Sequence, residues 1–230
     1  MHEQNTETSA ASCGIIFDVD GTMVDNAAYH EKAWIELGRR RNLPITSQYY
    51  RTRIHARSND KNVQGLYNNT ATPELIAQIS GEKEAIYRQT YRPVIAEIPG
   101  LARLLAALHA QRVPCAAASN SPRENVDMVL DELRIRKYFS VAIDRNQISR
   151  GKPDPESLLT AAAAFKLPPH RCLVVEDSPS GFQAARNAGM KYIAITAGAD
   201  PNDLQHAAAA AAVYRDYSTI APENLATLLD

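Results

Sequence analysis

Short, mostly apolar runs alternate along most of this chain with stretches of helical period. The runs fall at residues 14–18, 113–118, 141–143, 172–175, 192–196 and 213–214. Runs of this length, bounded by turn signals, predict strands buried on both faces. Between them, residues 101–111, 122–133, 155–165, 179–188 and 223–229 carry helical spacing, with Pro122 suited to a first-turn position. Strands alternating with helices predict an α/β fold built on a doubly wound parallel sheet. Residues 25–92 break the alternation. They hold few β-rich runs and offer helices near 27–41, 60–67, 73–79 and 82–94. We read them as a helical cap inserted into a core made of residues 14–24 and 93–230. Residues 1–13 are mostly polar and are read as a mobile tail. The alanines of 207–212 are expected to end a helix before the last strand, and Arg39-Arg40-Arg41 to form a solvated helix end.

Polar groups gather where the apolar runs stop. The first run ends in Asp18-Val19-Asp20-Gly21-Thr22. Residues i and i+2 of a strand point the same way, so both acids would face one site at the carboxyl end of the sheet, where open α/β folds bind ligands. Two carboxylates brought together out of water call for a compensating cation, and Mg²⁺ suits such oxygen ligands. Gly21 lets the chain turn away sharply. The second run ends in Ser119-Asn120, Lys152 stands alone in Gly151-Lys152-Pro153-Asp154-Pro155, and another run ends in Glu176-Asp177-Ser178, with Gly181 following. Singly, each has a plain structural reading: a turn, a helix cap, a surface lysine.

Taken in order, these segments resemble the haloacid dehalogenase superfamily, in the branch that contains β-phosphoglucomutase and small-metabolite phosphatases. The resemblance runs from about Gly14 to Leu229. It implies an α/β core with a small helical cap that opens and closes over the site. It makes Asp18 the nucleophile that forms an aspartyl-phosphate, and Asp20 the general acid and base, its backbone carbonyl also on the metal. Ser119 and Lys152 would hold and neutralise the phosphate. Glu176 and Asp177 would complete a Mg²⁺ site with Asp18 and Asp20, Asp177 being the firmer ligand of the pair. Thr22 and Asn120 are placed with the substrate-binding groups. In the cap, His30, followed by Trp34, and Lys83 resemble the histidine and lysine of the β-phosphoglucomutase cap, although His30 also reads as a surface helix histidine. His55 and Arg57 lie in a polar break between helices. Arg57 is a candidate grip for a distal anionic group, and equally a solvated loop arginine. The arginine with which mutases hold a second phosphate falls, without gaps, on Asn59. An acid at the Asp20 position argues for a phosphate ester over dehalogenase or phosphonatase chemistry.

Composition narrows the alternatives. The chain has 230 residues, 45% of them hydrophobic, enough for a large domain with an insertion, and a formal net charge of −1. That charge supplies no global basic field for nucleic acid or an anionic membrane. No stretch approaches the roughly 20 apolar residues that span a bilayer. Three cysteines without metal spacing fit a reducing cytoplasm. The expectation is therefore a cytoplasmic, monomeric, Mg²⁺-dependent phosphatase of a small phosphorylated metabolite, a sugar or polyol phosphate. The rivals are a β-phosphoglucomutase using the same site and a non-catalytic binding protein on the same fold, which would be expected to have lost part of the constellation.

Overall fold

The computed structural model describes residues 12–55, 57–197, 207 and 209–229. Among these residues, six parallel strands form one sheet in the order β3-β2-β1-β4-β5-β6. The strands are β1 (Gly14–Phe17), β2 (Cys115–Ala118), β3 (Phe139–Ile143), β4 (Cys172–Glu176), β5 (Lys191–Ile195) and β6 (Ala212–Tyr214). Alternation along each strand divides the interior into two layers. Ile15, Phe17, Cys115, Ala117, Leu173 and Val175 face one layer, and Ile16, Ala116, Ala118, Cys172 and Val174 face the other. The first layer is covered by α5 (Leu101–Ala110), α6 (Arg123–Glu132) and α9 (Pro222–Thr227), the second by α7 (Glu156–Phe165) and α8 (Pro179–Asn187). All three cysteines are buried and free. Burial pushes the Cys115 thiol up to about 12 and the Cys172 thiol up to about 11, so both act as core residues.

The helical insertion comprises α1 (Ala27–Arg41), α2 (Ser47–Tyr49), a π-helical turn at Tyr50–Ile54, α3 (Asn59–Leu66) and α4 (Pro73–Tyr91), closed by a 3₁₀ turn at Arg92–Val94. Trp34, Leu37, Val63, Ile79, Ile86 and Tyr87 form its interior, which is continuous with Met23 and Val24 of the core. The two connections to the core lie side by side. Val24 bridges Glu97, and the Ile98 amide donates to the Met23 carbonyl at 2.9 Å.

Two expectations need correction. The helices expected at 73–79 and 82–94 are one helix through Ser80 and Gly81, because the buried face continues from Ile79 to Lys83, Ile86 and Tyr87. No helix is expected between residues 41 and 60, yet residues 47–54 are helical, with the Thr46 side chain capping the Tyr49 amide. Arg39 and Arg40 end α1 in solvent and pair with Glu36, whereas Arg41 reaches Glu82 on α4. The expected tail falls outside the described residues except for Ser12 and the buried Cys13. In the alanine run only residue 208 falls outside them; Ala207 is buried, and Ala212 already belongs to β6.

Candidate active site

The central strands β2, β1 and β4 are neighbours, so their carboxyl ends open onto one crevice. Asp18 follows β1, and its amide donates to the Val175 carbonyl at 2.9 Å, which carries the sheet register up to that carboxylate. Lys152 arrives from the loop before α7. Its Nζ donates to Asp18 Oδ1 at 2.6 Å and to Glu176 Oε1 at 2.8 Å, with all three side chains buried. That loop is itself tied down. Asn120 Oδ1 accepts from the Lys152 amide at 2.8 Å and Asn120 Nδ2 donates to the Lys152 carbonyl, while the Glu156 carboxylate accepts from the Ser149 and Arg150 amides. Asn120 thus positions the lysine.

Glu176 ends β4 at 1% exposure. Its Oε2 accepts from the Asp177 amide, the Ser178 amide and the Ser178 hydroxyl, at 2.8, 2.8 and 3.0 Å. The carboxylate lies so close over α8 that a β-carbon at Gly181 would overlap it. Asp177 Oδ1 accepts from Thr22 Oγ1 at 2.8 Å, and its other oxygen accepts no hydrogen bond among the described residues. Thr22 is fully buried and its carbonyl accepts from the Tyr217 hydroxyl, so it orients Asp177. Gly21, at φ +82°, leaves the space that Asp177 fills.

Asp18, Glu176 and Asp177 each offer a carboxylate oxygen within 4.8 Å of the others, a hard-oxygen donor set that fits a divalent cation such as Mg²⁺. Burial, opposed by Lys152 and reinforced by Glu176 and Asp20, pushes the Asp18 carboxyl up to about 8. Asp177 is raised well above its usual value by burial, then by the charges of Glu176 and Asp18. Burial works against the charge on Lys152, but Asp18 and Glu176 outweigh it and hold the ammonium above the usual lysine range. One lysine does not neutralise three acids, and a cation would relieve the remaining crowding.

Asp20 faces differently. Its Oδ1 accepts from Asn26 Nδ2 at 2.6 Å and lies 3.5 Å from His30 Nε2. Its Oδ2 accepts from Ser121 Oγ at 2.6 Å and Ser119 Oγ at 3.2 Å. Burial would raise this carboxyl, but the bonds from His30, Ser121 and Asn26 hold it below the usual carboxylate range. His30 stacks on Tyr87, ring centroids 4.0 Å apart and planes 4° from parallel, and its Nδ1 lies 2.8 Å from Lys83 Nζ. An ammonium can only donate, so Nδ1 is the acceptor and the neutral ring carries its proton on Nε2, toward Asp20. Lys83 is buried and also donates to Glu84 Oε1 at 2.9 Å.

The structure therefore brings together Asp18, Asp20, Ser119, Lys152, Glu176, Asp177, His30 and Lys83. Thr22 and Asn120 stand behind them. Arg57 is exposed, and among the described residues its hydrogen bonds are those of its backbone. Asn59 donates to Glu84 Oε1 at 2.7 Å. Sequence reasoning missed Asn26, Tyr87 and Ser121. Tyr87 lies one helical turn after Lys83 and Ser121 two residues after Ser119, spacings that place them beside groups already singled out.

Comparison with known proteins accords with this geometry. A family model described as haloacid dehalogenase-like hydrolase matches residues 14–189. Validoxylamine A 7'-phosphate phosphatase of Streptomyces hygroscopicus subsp. limoneus is 29% identical, across 84% of this chain and 89% of its own. β-Phosphoglucomutase of Bacillus subtilis is also 29% identical, across 80% of this chain and 83% of its own. Among solved structures, a family IA, variant 3 hydrolase from Entamoeba histolytica superposes with a TM-score of 0.85 over 94% of this chain and 98% of that one, at 24% identity, and shows the same fold. The chain belongs to the haloacid dehalogenase-like hydrolases.

Proposed function

We propose that this phosphoryl-transfer enzyme is a Mg²⁺-dependent phosphatase of a small phosphorylated metabolite, a sugar or polyol phosphate. One observation carries the reading. Asp18 sits beside a buried lysine with an acid pair at its back, while Asp20, two residues on, is turned to proton donors from both cap and core. Asp18 attacks phosphorus in line, and Lys152 offsets the repulsion between carboxylate and phosphate. With a phosphate dianion bound beside it, whose charge opposes ionisation, Asp20 takes up a proton and delivers it to the departing alkoxide. It then takes one from the water that cleaves the aspartyl-phosphate, freeing inorganic phosphate and restoring Asp18. A magnesium ion held by Asp18, Asp177 and the Asp20 carbonyl, with Glu176 behind, would supply the remaining positive charge. The helical insertion acts as a cap whose closure excludes bulk water.

The mutase reading asks more of the cap. A mutase must grip the phosphate that is not being transferred, and a guanidinium suits that task. The position expected to supply it is Asn59, bonded to Glu84; Lys83 is paired with the same carboxylate, and Arg57 lies on the surface. The test is a panel of sugar and polyol monophosphates, following inorganic phosphate and sugar-phosphate isomers together. Phosphate release that needs Mg²⁺ and Asp18 is expected. Rapid isomer formation that depends on added bisphosphate, with little phosphate released, would overturn the reading.

A further inference from the structure

The contact between cap and core contains a polar joint that the chemistry above does not use. Asn125 lies on α6, in the helix that begins just after the Ser119–Ser121 loop, and its side chain is buried. Its Nδ2 donates to Glu84 Oε2 at 2.8 Å, and its Oδ1 accepts from Arg88 Nη1 at 2.9 Å. Glu84 and Arg88 stand one turn apart on α4, so the cap helix pinches the core amide from two sides. The orientation is unique. A carboxylate only accepts and a guanidinium only donates, so turning the amide over would lose both bonds. The other oxygen of Glu84 accepts from Lys83 at 2.9 Å and Asn59 at 2.7 Å. Lys83 holds His30 Nδ1, and His30 Nε2 faces Asp20 Oδ1. On the core side the same helix leads back to Ser119 and Ser121, which hold Asp20 Oδ2. A hydrogen-bonded chain from the cap and the backbone of the core thus both lead to the Asp20 carboxylate.

We infer that Glu84, Asn125 and Arg88 are positioning residues: their joint fixes α4 on α6 in the register that places the His30–Lys83 pair against Asp20, and so sets the general acid for proton delivery. None of the three touches the reacting atoms. The inference rests on the phosphatase reading, in which Asp20 protonates the leaving oxygen.

That dependence gives a selective test. A p-nitrophenolate leaves with little protonation, whereas an alkoxide needs the proton. Asn125→Asp replaces the amide donor with a carboxylate facing Glu84. It is expected to lower kcat/KM, which reports the steps up to departure of the leaving group, by about a hundredfold on the best alkyl phosphate of the panel, within the usual range for a general acid, and by less than about threefold on p-nitrophenyl phosphate. Adding Glu84→Gln restores a donor toward the introduced carboxylate, and the double variant is expected to recover at least about tenfold on the alkyl phosphate. Arg88→Ala removes the other side of the pinch and should show the same selectivity more weakly. If Asn125→Asp fails to fold by circular dichroism, Arg88→Ala decides the matter. Equal losses on both esters, or no recovery in the double variant, would overturn the inference. Failure of the wild-type enzyme to hydrolyse any alkyl phosphate would instead sink the phosphatase reading.

Discussion

At the scale of single residues, the site consists of carboxylates given different tasks by their surroundings. Asp18 is crowded by acids and relieved by one lysine, whereas Asp20 is surrounded by donors. We expect Asp18→Asn to remove turnover by many powers of ten, each equivalent to about 1.36 kcal/mol of barrier, while circular dichroism and melting stay near wild type. Appreciable phosphate release by a deamidation-free preparation would contradict this. Gly181→Ala drives a methyl group into the Glu176 carboxylate. It should cost about 1–3 kcal/mol, or about 2–4 °C of Tm per kcal/mol in a chain of this size, with a larger loss of kcat because Glu176 anchors Lys152. The residues readable from sequence alone are those set in short motifs at strand ends, Asp18, Asp20, Ser119, Lys152, Glu176 and Asp177. Asn26, Ser121, Glu84 and Asn125 were not, because they are ordinary polar residues whose meaning comes from partners up to 101 positions away.

At the scale of elements, the strands were legible because burial on both faces leaves a continuous apolar run, as in Leu173-Val174-Val175. Helix α4 was not. Ser80-Gly81 reads locally as a stop, yet Ile79, Lys83, Ile86 and Tyr87 keep one face buried across it, and tertiary packing overrides propensity. The consequence is measurable. Gly81 is exposed in a helix interior, and a β-carbon there meets nothing within 4 Å. Gly81→Ala should therefore stabilise the protein by about 0.5–1 kcal/mol without changing turnover. A lower melting temperature would mean that the helix does break there. The turn at Tyr50–Ile54 went unseen for another reason: its sequence is largely polar, and only Tyr50 and Ile54 are buried.

At the scale of the whole molecule, the fold gathers the candidate site at the centre of the sheet, and the proposed function assigns the choice of substrate to the insertion. Prolonged dialysis against EDTA should abolish hydrolysis, and Mg²⁺ should restore it. Asp177→Ala should raise the Mg²⁺ concentration required, read by titration of activity and by calorimetry. Full activity in excess chelator would refute the metal assignment. The paired connections at Val24 and Glu97 carry a further consequence. Because the chain leaves and re-enters the core at adjacent points, the insertion is bounded like a cassette. A foreign helical bundle with neighbouring ends could be grafted there without stretching β1 or displacing α5, provided it brings an apolar face to cover Met23 and Val24. Such a chimaera should keep the nucleophile and its lysine and exchange only the repertoire of esters it accepts. Selectivity could then be rebuilt by recombination of whole caps instead of residue by residue.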